Sequence, residues 1–107
     1  MLPSDPKARK GFPVFSGVLN YFPDAIVEVA KVSRVGNDQH NPGQPLHWAR
    51  GKSTDQKDAA VRHIMDDAVD PMDTDDTYHL AKAAWRILAE LQLVIEARHK
   101  RLAEENK

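Results

Sequence analysis

Apolar positions along the chain gather into three helical stretches separated by polar ones, and that alternation predicts the architecture. Ile26, Val29 and Ala30 recur at intervals of three and four, and Val32 and Val35 widen the apolar side, so a helix is expected over residues 23–35. Pro23 suits its first turn and Gly36 supplies a stop, while Glu28, Lys31 and Arg34 lie three apart on the polar side. A second helix is expected over residues 53–68. The Ser53-to-Gln56 spacing of a capping box opens it, Ala59, Ala60, Val61, Ile64, Met65 and Ala68 pack it, and Pro71 breaks the pattern soon after. The last helix is expected over residues 76–104, with Ala81, Ala84, Leu88, Leu91, Ile95 and Leu102 on one 3,4-spaced seam.

The polar stretch at residues 37–52 reads as a loop, longer than the usual connection and carrying His40, His47, Trp48 and Arg50 rather than spacer residues. Residues 1–22 hold Pro3, Pro6, Pro13, Gly11 and Gly17 and read as an extended arm, made adhesive by Phe12, Val14, Phe15, Val18 and Leu19. The expected fold is therefore all-α: a small bundle of about three main helices over residues 23–107, with an irregular N-terminal arm and a long loop. The last helix is longer than the two shorter ones can cover. Part of its seam is expected to meet another copy, giving a homo-oligomer.

Composition narrows the function classes. The 107 residues carry 15 Lys and Arg against 16 Asp and Glu, a net charge of −1, so no global field draws the protein onto nucleic acid or an anionic membrane. General nucleic-acid binding is not expected, and no apolar run approaches the roughly 18 residues of a membrane span. The absence of cysteine excludes disulfide scaffolds and thiolate metal sites and fits a cytoplasmic protein.

Local charge is more informative than the total. Residues 66–76 hold six carboxylates and no Lys or Arg, a density at which a nearby cation is stabilising. Carboxylate oxygens suit Mg²⁺ or Mn²⁺, ions that bridge and polarise phosphates. A solvated interhelical turn explains the same run without an ion. On the second helix Asp58 and Arg62 project from one face, with His63 beside it; on the last, Asp76 and His79 lie three apart and Lys82 and Arg86 continue the row. If the two helices are antiparallel across the acidic turn, both sets meet at one end of the bundle, an acid–base and cation constellation fit for a triphosphate. Trp48 is the better candidate for stacking on a base, because Trp85 lies where core packing is expected. The chain has no Gly-rich phosphate loop, G-x-S-x-G elbow or H-E-x-x-H pair.

In order along the chain, V-E-V-A-K-V, H-N-P, H-W-A-R-G-K, D-A-A-V-R-H-I-M and D-D-T-Y-H-L-A-K-A-A-W resemble the N-terminal domain of phage dATP/dGTP diphosphohydrolase-like proteins. The resemblance spans residues 23–93 and implies a common site of Glu28, Trp48, Gly51, Asp58, Arg62, His63, Asp76 and His79. Three departures stand out: Gly36-Asn37-Asp38-Gln39-His40 replaces a G-x-K-K-Y-type helix end, the loop that follows is longer and proline-bearing, and Lys82 stands where H-L-x-H has its second histidine. A more distant likeness is to all-α MazG-type nucleotide pyrophosphohydrolases, whose E-E-x-x-E and E-x-x-D sets are absent here.

These readings imply a dATP- or dGTP-like nucleotide as partner, in the host-cell cytoplasm for a phage-encoded chain. Mg²⁺ or Mn²⁺ would be held by Asp58, Asp76 and Glu28 or Asp70. Arg62 and Lys82 would clamp the phosphates, Trp48 and His40 would contact the substrate, and His63, His79 and Asp58 would do the acid–base work. The alternative is a non-catalytic phage accessory or assembly module, in which Asp58 and His63 are interhelical hydrogen-bonding groups.

Overall fold

A computed structural model describes all 107 residues and is all-helical. Its elements are α1 (Pro6–Arg9), a π-helical turn (Phe15–Leu19), α2 (Pro23–His40), α3 (Gln56–Asp67) and α4 (His79–Glu105). No helix is long and apolar enough to cross a membrane. At 27 residues, α4 is about 40 Å long and sets the longest dimension of the molecule, 47 Å. Both α3 and α2 pack against it.

Small side chains make that packing close. Ala59 and Ala60 of α3 and Ala81, Ala83 and Ala89 of α4 are the buried apolar residues, so α3 and α4 approach through methyl groups rather than interleaved large side chains. Only nine of 107 residues are buried, and four of those are polar: Asn37, Gln56, Thr77 and His79. The interior is therefore held by hydrogen bonds as much as by apolar burial. Large apolar side chains are mostly outside, including Leu88, Leu91, Val94, Ile95 and Leu102 along α4.

Four sequence expectations are corrected. The arm is not wholly extended: Asp5 accepts the Ala8 N–H at 2.8 Å and caps α1, and the chain then winds a π-helical turn. Its Phe12, Val14 and Phe15 are exposed. Gly36 does not stop α2, which runs to His40, because one glycine costs only about 1 kcal/mol inside a helix anchored on both sides. The capping box does not form; α3 begins at Gln56 behind Asp55, and the Ser53 hydroxyl instead accepts from Arg86 at 3.3 Å. Finally, α4 starts at His79, not Asp76, since residues 71–79 fold into a miniature hairpin.

That hairpin is closed by three main-chain hydrogen bonds, Asp73 N–H to Thr77 O (2.8 Å), Asp76 N–H to Asp73 O (3.2 Å) and His79 N–H to Pro71 O (3.0 Å), with a Met72–Tyr78 bridge. Asp76 takes the left-handed conformation (φ 61°) that the reversal needs and that Asp tolerates better than most residues. After α2, Asn41-Pro42-Gly43-Gln44 forms a turn with Gly43 at φ 76° and a Gln44 N–H to Asn41 O bond of 3.1 Å. The buried Asn37 side chain then pins the returning loop, donating to Gln44 O at 3.0 Å and accepting from His47 N–H at 3.1 Å. The two reversals bring the loop and the acidic turn to the same side of α4.

Candidate functional site

Between these reversals lies a cavity of about 700 Å³, walled by the C-terminal half of α2, the loop through Ser53, Gln56 and His63 of α3, the hairpin, and Lys82, Trp85 and Arg86 of α4. Its lining is cationic: Lys52, Lys82 and Arg86 face one carboxylate, Asp75, and His40, His47 and His63 add imidazoles. A volume of this size is in the range of small-ligand sites.

The polar groups fall into two sets. In the first, the Lys82 ammonium donates to Asp73 Oδ2 at 2.6 Å and to Asp75 Oδ2 at 2.7 Å, with its side chain only 20% exposed. Thr77, fully buried, donates its hydroxyl to Asp75 Oδ1 at 2.5 Å. Burial opposes the charge on Asp75, but the bonds from Lys82, Thr77 and Gln39 prevail and hold its carboxyl down at about 2. The Lys82 hydrogen bond, with the Thr74 N–H, also lowers Asp73. For Lys82 itself, burial disfavours the charge, and the two carboxylates outweigh it and raise the ammonium above its ordinary value. The lysine is thus committed to the hairpin.

Arg86 belongs to the second set. Its guanidinium meets only neutral acceptors, Gln56 Oε1 at 3.1 Å and Ser53 Oγ at 3.3 Å, and has no carboxylate partner. Lys52, exposed on the loop, lines the same space.

At the cavity edge His63 Nδ1 and His79 Nδ1 lie 3.0 Å apart, and His79 Nδ1 is 3.9 Å from Asp73 Oδ2. One ligand atom from each of the three residues lies within 4.8 Å of the others, a grouping that can hold a metal ion. Desolvation, with the charges of Lys82 and His79, lowers His63 below its ordinary value, which keeps that imidazole neutral and its lone pair available near neutral pH.

Aromatic groups complete the wall. Trp48 and Trp85 meet edge to face with centroids 6.0 Å apart, and the Arg50 guanidinium lies 4.5 Å above Trp48. Arg50 in turn is held by Glu96 at 2.7 and 2.9 Å, which ties the loop to α4. Trp85 is half-buried and lines the cavity rather than a core, and its indole N–H donates to Ser33 Oγ at 2.6 Å, the residue that interrupts the apolar stripe of α2.

Of the residues singled out from the sequence, the structure gathers His63, Lys82, Trp48 and His40 on the cavity, with His79 touching His63. It does not bring the expected carboxylates there. Asp58 is exposed in a separate depression with Thr54, Lys57 and Glu90, because five residues put it about 140° around α3 from His63. The Asp76 carboxylate is outside, 3.4 Å from Lys31, and Asp70 accepts the Met72 N–H at 2.9 Å. Glu28 is half-buried on α2 and outside the cavity lining. Arg62 turns to Asp55 at 3.0 Å rather than to the cavity. Asp73, Asp75 and Lys52 were not singled out as site residues, and Gln56 only as a capping residue; the density of the acidic run was the available signal for the first two.

Fold and site together define a small all-α domain with a cavity lined by cations, imidazoles and indoles. A family model described as dATP/dGTP diphosphohydrolase, N-terminal, matches residues 7–104, and the chain belongs to that family. No curated protein and no solved structure matches it.

Proposed function

We propose that the chain is a deoxynucleoside triphosphate-binding domain that hydrolyses its ligand to the monophosphate and pyrophosphate, with dATP or dGTP as the substrate class that the family's description suggests. The observation that carries the reading is the position of Arg86: a guanidinium with no carboxylate partner, in a cavity shared with Lys52 and two indoles and bordered by the His63–His79 pair. Arg86 and Lys52 take the phosphates. Trp48 and His40 meet the base and sugar. A water bordered by the His63–His79 pair bonds through its oxygen to the α-phosphorus as the bond to the bridging oxygen breaks and pyrophosphate departs, the water's proton passing to solvent. A divalent cation such as Mg²⁺ or Mn²⁺, once bound, would supply charge neutralisation of the phosphates.

Calorimetric titration of dATP and dGTP, with and without Mg²⁺ and Mn²⁺, followed by chromatography of the same samples for monophosphate, tests this. Binding should weaken at least ~10-fold in Arg86→Ala, the loss of a charge-assisted contact. Neither binding nor product in the folded chain would sink the reading.

A non-catalytic phage assembly module is the second reading, favoured by the apolar residues exposed along α4. Self-association through Leu88, Leu91, Val94 and Ile95 is compatible with either reading. Sedimentation should show a homo-oligomer that Leu91→Lys dissociates; a wild-type monomer would remove that part.

A further inference from the structure

We propose that His63, Asp73 and His79 bind a first-row transition dication of the Mn²⁺-to-Zn²⁺ series in preference to Mg²⁺, as an ion of the protein rather than one brought by the nucleotide. The three come from separate segments: His63 from α3, Asp73 from the hairpin and His79 from the first position of α4. Their ligand atoms are already close to coordination distance. The edge of a tetrahedral site with 2.0–2.1 Å bonds is about 3.3 Å. The observed separations, 3.0 Å between the two Nδ1 atoms and 3.9 Å from His79 Nδ1 to Asp73 Oδ2, bracket it. All three ligand atoms lie within 4.8 Å of one another, so an ion draws in side chains already gathered at one point.

The donor set selects the ion class. Two imidazole nitrogens and one carboxylate oxygen suit borderline transition dications, whereas Mg²⁺ prefers oxygen ligands in near-octahedral array and keeps its waters. Three protein ligands leave at least one coordination position for water or a phosphate oxygen, and His63 lines the cavity where a ligand would enter.

The ligands are also held. The hairpin bond from His79 N–H to Pro71 O fixes the start of α4. Asp73 is oriented by the Thr74 N–H on Oδ1 at 2.7 Å and Lys82 on Oδ2 at 2.6 Å, leaving a second lone pair of Oδ2 for an ion. Without an ion the facing Nδ1 atoms must share one proton, so a plain histidine–histidine hydrogen bond is the competing account.

The test uses the full chain stripped with chelator and no nucleotide, so its outcome is separate from that of the nucleotide titration. Co²⁺ is added and its visible absorption followed, then Zn²⁺, Mn²⁺ and Mg²⁺ are added as competitors. One Co²⁺ per chain should bind and be displaced by Zn²⁺, with Mg²⁺ at least ~100-fold weaker than Zn²⁺. His63→Ala should lose at least ~10-fold in Co²⁺ affinity, and His99→Ala, an exposed imidazole late in α4, should not. Absence of Co²⁺ binding in the folded chain, Mg²⁺ equal to Zn²⁺, or full affinity in folded His63→Ala would leave only the hydrogen-bonded pair. Should His63→Ala not fold, the Zn²⁺-over-Mg²⁺ preference of the wild type decides.

Discussion

Replacing Lys82 with methionine removes the cation that the hairpin is built around and keeps most of the side-chain volume. Asp73 and Asp75, with side chains 22% and 17% exposed, would then face each other with no counter-charge. Breaking a buried pair by deleting one partner costs about 3–5 kcal/mol, and the low end applies here because the site is open to the cavity. An independent gauge comes from Asp75, whose carboxyl falls from 3.8 to about 2. At about 1.4 kcal/mol per unit, that amounts to about 2 kcal/mol of stability. The two figures describe the same interactions from opposite ends and are not added.

The sign follows from the direction of the shift. A depressed carboxyl stabilises the fold fully above its unfolded value and loses that stabilisation as pH falls from about 4 toward about 2. Lys82, raised, contributes below its unfolded value and loses its share in strong alkali. Urea unfolding followed by indole fluorescence should therefore show Lys82→Met about 3 kcal/mol less stable at pH 7, a large fraction of the total for a domain this size. The wild type should weaken between pH 4 and 2 more steeply than the variant. Adding Asp73→Asn and Asp75→Asn to Lys82→Met should restore stability, because the stranded charges are gone. A Lys82→Met protein within about 0.5 kcal/mol of wild type at pH 7, or no recovery in the triple variant, would refute the reasoning.

Trp85→Phe deletes the N–H that reaches Ser33 Oγ at 2.6 Å and should cost about 1 kcal/mol in urea unfolding, with Ser33→Ala adding little further in the Trp85→Phe background. Gly36→Ala should stabilise by about 0.4–1 kcal/mol, since Gly36 is inside α2 and an added Cβ meets nothing within 4 Å; a loss of stability would show that the glycine is needed for another reason. Asn37→Ala should cost about 1–3 kcal/mol and speed amide exchange at His47, because a single buried side chain makes both bonds that fold the loop back.

Helical periodicity was enough to place the three main helices and to supply the residue types of the site, though not α1 or the π-helical turn of the arm. The 3,4 spacing of α4 is carried by many residues and survives any local exception, and Pro23 marked the start of α2 because its fixed φ suits that position. His63, His79 and Lys82 were legible from helical spacing, which states the face on which a side chain lies. Single-residue signals were weaker: Gly36 could not end α2 against the anchoring of Asn37, and Ser53 found Arg86 before it found a helix to cap. Which carboxylates turn toward the cavity is set by packing. Six of them crowd residues 66–76 with equivalent chemistry, and the hairpin turns Asp73 and Asp75 onto Lys82 while leaving Asp70 and Asp76 outside. That selection depends on main-chain bonds across the turn and on a lysine from the next helix, contacts that no local spacing encodes. Helical periodicity fixes direction within one element, whereas a site assembled from a loop, a hairpin and three helices depends on how those elements pack.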